Sequence, residues 1–189
     1  KNYNKRDAFL LKIDAQTGKP VWGKRAGSDL GGERANDVWA DSMCNVYVCG
    51  DINEGAKFGD NIITGTGKYE ESFVAKISPD GKWQWAITGG GLDSNDRANA
   101  VTKGRGAQIY VCGFFRAPAT FGNTSLTSVG SSDAFWARVH DSSLNQGAQF
   151  ILPKPTDSIL CKNDTIVLNI PSHAYLQYAP LQGVSTNAT

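Results

Sequence analysis

The sequence has few of the residues on which catalytic and metal sites are usually built. Its 189 residues include two histidines, one methionine and four cysteines. His140 and His173 lie far apart, and the absence of a Cys-x-x-Cys pair or Cys/His cluster argues against zinc. Gly-x-Ser-x-Gly, His-Glu-x-x-His and P-loop motifs are also missing. We therefore expect no catalytic residues, no metal and no cofactor.

Charge and hydropathy exclude two further classes of protein. The formal net charge is +1 and no basic stripe is present, which argues against nucleic-acid binding. No apolar run is long enough to predict a membrane span. No stretch shows a convincing helical period either. These features favour a soluble, globular, all-β chain.

The chain contains an internal repeat with a period of 63 residues. Residues 33–50 return as residues 96–113. Flanking pairs share the same spacing, namely Trp22 with Trp85 and Gly27 with Gly90. Such a period is typical of repeat architectures. The residues that recur are Arg34, Ala35, Asn36, Val38, Tyr47, Val48, Cys49 and Gly50.

Each repeat predicts four short strands joined by turns, over residues 35–40, 46–50, 72–77 and 82–87, with a loop from 51 to 69. The strands are apolar on both faces, which is typical of a sheet packed on both sides. A four-stranded antiparallel sheet buried between copies of itself is the blade of a β-propeller.

The strand segments resemble the SBBP-type β-propeller repeat. The similarity lies in Asp-Ala-Phe-Leu-Leu-Lys-Ile-Asp (7–14) and its counterparts at 72–78 and 133–140, and in Tyr-Val-Cys-Gly at 47–50 and 110–113. It covers residues 7–150. It implies propeller blades without shared catalytic residues.

We expect two modules. Residues 1–152 would form propeller blades, the first of them partial, with further blades elsewhere in a longer protein or in a partner. Residues 153–189 would form a linker and the start of an Ig-like β-sandwich, because their order of Cys, polar turn and strands resembles Ig-like or PKD-like modules.

Cys49 and Cys112 are not expected to pair with each other, whereas a bridge between Cys44 and Cys49 is left open. Cys49 and Cys112 occupy equivalent positions on adjacent sheets, about 10 Å apart, which is too far for a disulfide. We interpret both as small buried hydrophobic residues.

Arg34 with Asn36, and Arg97 with Asn99, open the first strand of each repeat and are the candidate ligand-binding residues. They could instead form ion pairs or hydrogen bonds to loop residues such as Asp29 or Asp93. The sequence leaves both interpretations open.

Two tryptophans offer a second pair of alternatives. Trp83 and Trp85 are predicted to share one face of a strand. Packing between sheets is favoured there over a platform for stacking sugars.

Three triplets resemble the Asp-Ser/Thr-aliphatic O-glycosylation signal of gliding, type-IX-secreting bacteria. They place candidate glycans on Ser42, Ser158 and Thr165.

Together these resemblances imply a non-catalytic segment of a large exported bacterial surface protein, extracellular in location, acting as a rigid or adhesive platform for attachment or gliding. Its partners would be other blades and Ig-like modules, cell-surface or secretion-machinery proteins, or polysaccharide. The alternative is an accessory propeller or carbohydrate-binding module of a secreted hydrolase.

Overall fold

The computed structural model of the chain describes residues 6–29, 32–63, 69–91, 95–104, 106–116, 118–141 and 149–151. Within these ranges the protein is all-β, and no helix is present that could cross a membrane. The Ig-like module predicted for residues 153–189 lies outside them. The strands in chain order are β1 (Ala8–Ile13), β2 (Pro20–Gly27), β3 (Arg34–Ala40), β4 (Val46–Ile52), β5 (Ala56–Phe58), β6 (Asn61–Ile63), β7 (Glu71–Ile77), β8 (Trp83–Gly89), β9 (Arg97–Lys103), β10 (Gln108–Phe115), β11 (Ala119–Phe121), β12 (Thr124–Leu126), β13 (Asp133–His140) and β14 (Gln149–Ile151).

Each copy of the repeat forms a four-stranded antiparallel sheet. The second sheet has the order β3-β4-β7-β8, and the third has the order β9-β10-β13-β14. The four strands predicted for residues 34–89 are therefore confirmed. The first sheet begins with β1 and β2, which correspond to the last two strands of a repeat.

The stretch predicted as a loop, residues 51–69, instead contains the hairpin β5-β6. This hairpin leaves its own repeat and pairs with β2 of the first sheet, Ala26 opposite Phe58. The next repeat places β11-β12 in the same way, because Gly90 and Thr120 exchange backbone hydrogen bonds of 3.0 and 2.8 Å beyond the end of β8. Fully buried Phe58 and Phe121 anchor the two hairpins. The loop prediction was wrong because these hairpin strands are only three residues long, too short for a pattern to stand out in the sequence.

The second sheet is buried on both faces, as its sequence predicted. Val48, Phe73 and Ala75 pack in one apolar cluster with Ala8 and Ala26 of the first sheet. The alternate residues Tyr47, Cys49 and Val74 pack in another cluster with residues of the third sheet, among them Ala98, Val111, Phe135 and Val139. The three sheets are therefore stacked in chain order.

A β-bulge explains why the motif ends in glycine. The register between β3 and β4 shifts so that Asn36 has no opposite residue, and Asn99 is bulged in the same way between β9 and β10. At Gly50 a Cβ would overlap the carbonyl oxygen of Arg34, and at Gly113 it would overlap that of Arg97. Only glycine admits this close approach of two backbones.

Candidate functional site, an ionic cluster between the second and third sheets

Both arginines of the repeat turn toward one buried carboxylate. Arg34 and Arg97 are the first residues of the edge strands β3 and β9, and Asp51 lies opposite Arg34 on β4. Arg97 Nε donates to Asp51 Oδ1 at 2.8 Å, and Arg34 Nη1 lies 3.2 Å from Asp51 Oδ2. Because β9 belongs to the third sheet, Asp51 joins two sheets. We name Arg34, Asn36, Asp51, Glu70 and Arg97 the junction cluster.

Glu70 completes the balance of charge. Its Oε1 accepts a hydrogen bond of 2.8 Å from Arg34 Nη2, and its Oε2 lies 4.0 Å from Arg97 Nη2. Two cations therefore meet two anions. The two arginine side chains are only partly exposed, with 26% and 32% of their surface accessible.

Asp51 is fully buried, and burial raises the pKa of its carboxyl to about 6. The hydrogen bond from Asn36 and the charge of Arg34 act in the opposite direction, and the charge of Glu70 acts in the same direction as burial. Asp51 Oδ2 contacts Arg34 as an ion pair, but the contact lacks the geometry of a hydrogen bond. The free-energy cost of removing this carboxylate from water therefore exceeds the stabilisation that its incomplete set of ion-pair and hydrogen-bond partners provides.

The bulge aims Asn36 into the junction cluster but leaves Asn99 outside it. Asn36 Nδ2 donates to Asp51 Oδ1 at 3.1 Å and to the backbone oxygen of Ala98 at 2.9 Å. Asn99 makes no side-chain hydrogen bond to the described residues, although the two asparagines are both exposed. Of the four predicted binding residues, the structure brings together Arg34, Asn36 and Arg97.

Asp51 and Glu70 were not identified from the sequence. The suggested partner Asp29 was wrong, since Arg34 pairs with Asp51 and Glu70, while Asp93 lies outside the described residues. The repeat gave no signal for Asp51, because the equivalent position in the third sheet is Phe114, over whose ring Arg97 lies at 5.6 Å. An acidic residue inside the apolar strand Val46–Ile52 was the available clue.

A second polar cluster ties the same two sheets together at Asp141. This carboxylate accepts hydrogen bonds from Tyr47 (2.8 Å), Lys76 (2.7 Å) and Trp85 (2.9 Å), all of the second sheet. These three donors outweigh burial and lower the pKa of Asp141.

The junction between the first and second sheets uses the equivalent donors. Lys12 Nζ and Trp22 Nε1 both donate to the backbone oxygen of Pro79 at 3.0 Å. Lys12 and Trp22 hold the places of Lys76 and Trp85 in the repeat. At both junctions, a lysine and a tryptophan of one sheet therefore donate hydrogen bonds to a residue that follows the third strand of the next repeat.

A buried carboxylate also precedes each repeat. Glu33 Oε1 accepts from the backbone of Ser28, and Asp96 accepts from the backbone of Gly91 and Arg116 at 2.6 and 2.7 Å. Burial raises the pKa of Asp96 to about 6. These acids hold the connections between sheets, a role that the sequence did not reveal.

The two tryptophans do not form a platform for sugars. Trp83 meets Phe58 edge-to-face at 5.0 Å, on the side of the first sheet, whereas Trp85 packs beside Tyr47 at 6.1 Å, on the side of the third. The prediction that they share one face was wrong because a bulge at Lys76 and Ile77 shifts the register between β7 and β8.

The cysteine predictions were partly correct. Cys44, Cys49 and Cys112 are all free thiols. Cys49 is buried, which raises the pKa of its thiol to about 12, but Cys112 is exposed. Cys112 was expected to be buried, and the described residues place no further sheet over its face.

Ser42 is the one predicted glycosylation residue that the structure describes, since Ser158 and Thr165 lie outside it. Ser42 is exposed in the turn between β3 and β4. The neighbouring Asp41 is buried and holds this turn by accepting from the backbone of Met43 and Asn45 at 2.9 and 2.8 Å. The hydroxyl is therefore accessible on a fixed turn.

His140 is exposed at the end of β13. Within the described ranges, no three His, Cys, Asp or Glu side chains are placed to hold a metal ion. No family model matches this sequence, and no curated protein matches it.

Proposed function

We propose that this chain is a non-catalytic, load-resisting segment of a β-propeller in a large exported bacterial surface protein, where it serves as a platform for adhesion or gliding. One observation carries the proposal. Three of the four polar residues that the sequence offers as binding candidates, Arg34, Asn36 and Arg97, belong to a cluster that joins the second and third sheets. A surface formed in this way resists deformation, and recognition is left to the exposed loops.

The joining contacts are distributed across the whole junction between the second and third sheets. Asp51 binds Arg97 at one place and Asp141 binds Lys76 at another. Between them Asp37 Oδ2 accepts from the backbone of Val101 at 2.9 Å. Buried apolar residues fill the remaining area. Such a junction favours a fixed relation between sheets over a cleft that opens.

Arg97→Ala separates this proposal from ligand binding by the junction cluster. Two quantities would be measured, namely the melting temperature and the retention of the chain on beads coated with bacterial surface polysaccharide. We expect Arg97→Ala to lower the melting temperature, with retention following only the folded fraction. The matched control is Asn99→Ala, an exposed substitution two residues further along β9. Lost retention at an unchanged melting temperature would show that the cluster binds ligand, and the proposal would be wrong.

The non-catalytic assignment has its own test. The purified chain would be incubated with a panel of glycoside, ester and peptide substrates, and we expect no turnover above buffer. Hydrolysis that a single Asp or Glu substitution abolishes, with the fold intact by circular dichroism, would overturn the assignment.

A further inference from the structure

The hairpin β11-β12 lies across the end of the second sheet, and we call it the strap. Gly90 and Thr120 exchange backbone hydrogen bonds of 3.0 and 2.8 Å there. Phe121 is fully buried and packs in the apolar cluster between the second and third sheets. Thr120 and residues 122–125 are exposed. A short segment that few buried contacts hold can open without unfolding the rest of the protein.

Residues 89–91 are three successive glycines, and we call them the glycine seat because the strap contacts them. A Cβ on the first would overlap the ring of Phe121, one on the second would overlap the carboxylate of Asp96, and one on the third would overlap the backbone oxygen of Pro118. All three glycines are buried. The missing side chains therefore provide the space in which the strap and Asp96 lie.

Asp96 joins the glycine seat to the strap. Its Oδ2 accepts a hydrogen bond of 2.6 Å from the backbone nitrogen of Gly91, and its Oδ1 accepts one of 2.7 Å from that of Arg116. Arg116 directly follows β10 and leads into the strap. Asp96 is only 1% exposed, so one of these two segments must move before its carboxyl group reaches water.

The surroundings of Asp96 disfavour its negative charge. Burial raises the pKa of Asp96 to about 6, and the charge of Glu71, a buried residue of β7, acts in the same direction. The backbone hydrogen bonds from Arg116 and Gly91 and the charge of Arg116 act in the opposite direction. The glycine seat and the strap residues Ala119–Leu126 contribute no charged side chain. The ionised carboxylate is therefore stabilised when the strap opens and water reaches it.

We propose that the strap is a proton-controlled closure, which protonated Asp96 holds shut and ionised Asp96 loosens. Because the pKa is higher in the closed form, the stability of the closed strap is fully present below about pH 4 and is lost as the pH rises through about 6. Opening uncovers Phe121 and frees the backbone of Gly90 to pair with another strand. The inference depends on the internal junction and not on the proposed role at a cell surface.

Amide hydrogen exchange of the full chain, resolved by two-dimensional NMR between pH 4.5 and pH 7.5, would test this closure. Each measured rate would be compared with the intrinsic rate of an unstructured amide at the same pH, which gives a protection factor. The amides of Gly90 and Thr120 report opening of the strap, and those of the central strand β10 report unfolding of the third sheet. In the wild-type chain the protection of Gly90 and Thr120 should be the lower at every pH, and it should fall by roughly twentyfold across this range.

Asp96→Asn removes the titration, so the protection of Gly90 and Thr120 should no longer depend on pH. Asp51→Asn removes the other carboxyl whose pKa burial raises to about 6, and this variant should keep the wild-type profile. Asp60→Asn is the control for the loss of an exposed carboxylate, since Asp60 lies in the turn of the hairpin β5-β6. It should also keep the wild-type profile.

A second pair of variants tests the strap without a titration. Gly91→Ala places a methyl group against the backbone oxygen of Pro118, so it should lower the protection of Gly90 and Thr120 by roughly tenfold or more at every pH. The control is Gly130→Ala, which should exchange like the wild type because a Cβ at Gly130 would meet no atom within 4 Å. Together with the wild-type profile, this pair tests the closure even if Asp96→Asn fails to fold.

Four results would overturn the proposal. Wild-type protection of Gly90 and Thr120 that does not change with pH would show that Asp96 does not control the strap. The same slope with pH in Asp96→Asn would assign the dependence to another group. Protection equal to that of β10 at every pH would show that the strap opens only when the third sheet unfolds. Equal protection in Gly91→Ala and Gly130→Ala would show that the glycine seat does not hold the strap.

Discussion

Replacing Asp51 with asparagine should change how the stability of this protein depends on pH. Asp51 is fully buried between two sheets, and burial raises its pKa from 3.8 to about 6. Between these values the folded state binds a proton at Asp51 that the unfolded state has lost. Stability from this residue is therefore fully present below about pH 4 and is lost as pH rises through about 6.

The magnitude follows from the two pKa values. A pKa raised from 3.8 to about 6 corresponds to about 3 kcal/mol in the free energy of unfolding. Asp51→Asn removes this titration and leaves the other carboxyls in place. The wild-type advantage over Asp51→Asn should therefore shrink by about 2 kcal/mol between pH 4 and pH 6.5, most of the full effect.

Urea unfolding at half-unit pH steps, followed by tryptophan fluorescence, would measure this difference. Asp80→Asn is the control, since Asp80 is exposed and hydrogen bonds from Ser78 and Lys82 lower its pKa, which places its titration below the window. Parallel profiles for wild type and Asp51→Asn would refute the reasoning. A wild-type advantage that grows with pH would mean that Arg34 and Arg97 outweigh burial.

Three further predictions concern single contacts. Asn36→Ala should destabilise the chain by about 1 kcal/mol, because it removes hydrogen bonds to Asp51 and Ala98. Asn99→Ala, at the equivalent position of the next repeat, should change stability by less than about 0.5 kcal/mol in the same urea titration. Equal effects of the two substitutions would contradict this role of Asn36. Asp141→Ala should cost about 3 kcal/mol or more, since it leaves the Lys76 charge and two other donors without their acceptor; a loss under 1 kcal/mol would be inconsistent with that role. Ser42 should carry a glycan in native material, detected as added mass on its tryptic peptide and absent in Ser42→Ala, and an unmodified native peptide would exclude it.

The sequence by itself determined the sheets. The 63-residue repeat and the apolar residues on both strand faces predicted four antiparallel strands packed on both sides, because side chains alternate along a strand with a fixed period. These are local properties of the chain. They needed no knowledge of what lies beyond each sheet.

The tertiary structure decided the partners. Cys49 and Cys112 have the same neighbours in sequence, yet one is buried and the other exposed, because only the second sheet is covered on that side. Asn36 and Asn99 occupy the same bulge, and only Asn36 finds a buried acid. Burial and pairing depend on the sheet that lies opposite, and the contacting residues of that sheet are 46 to 64 positions away along the chain.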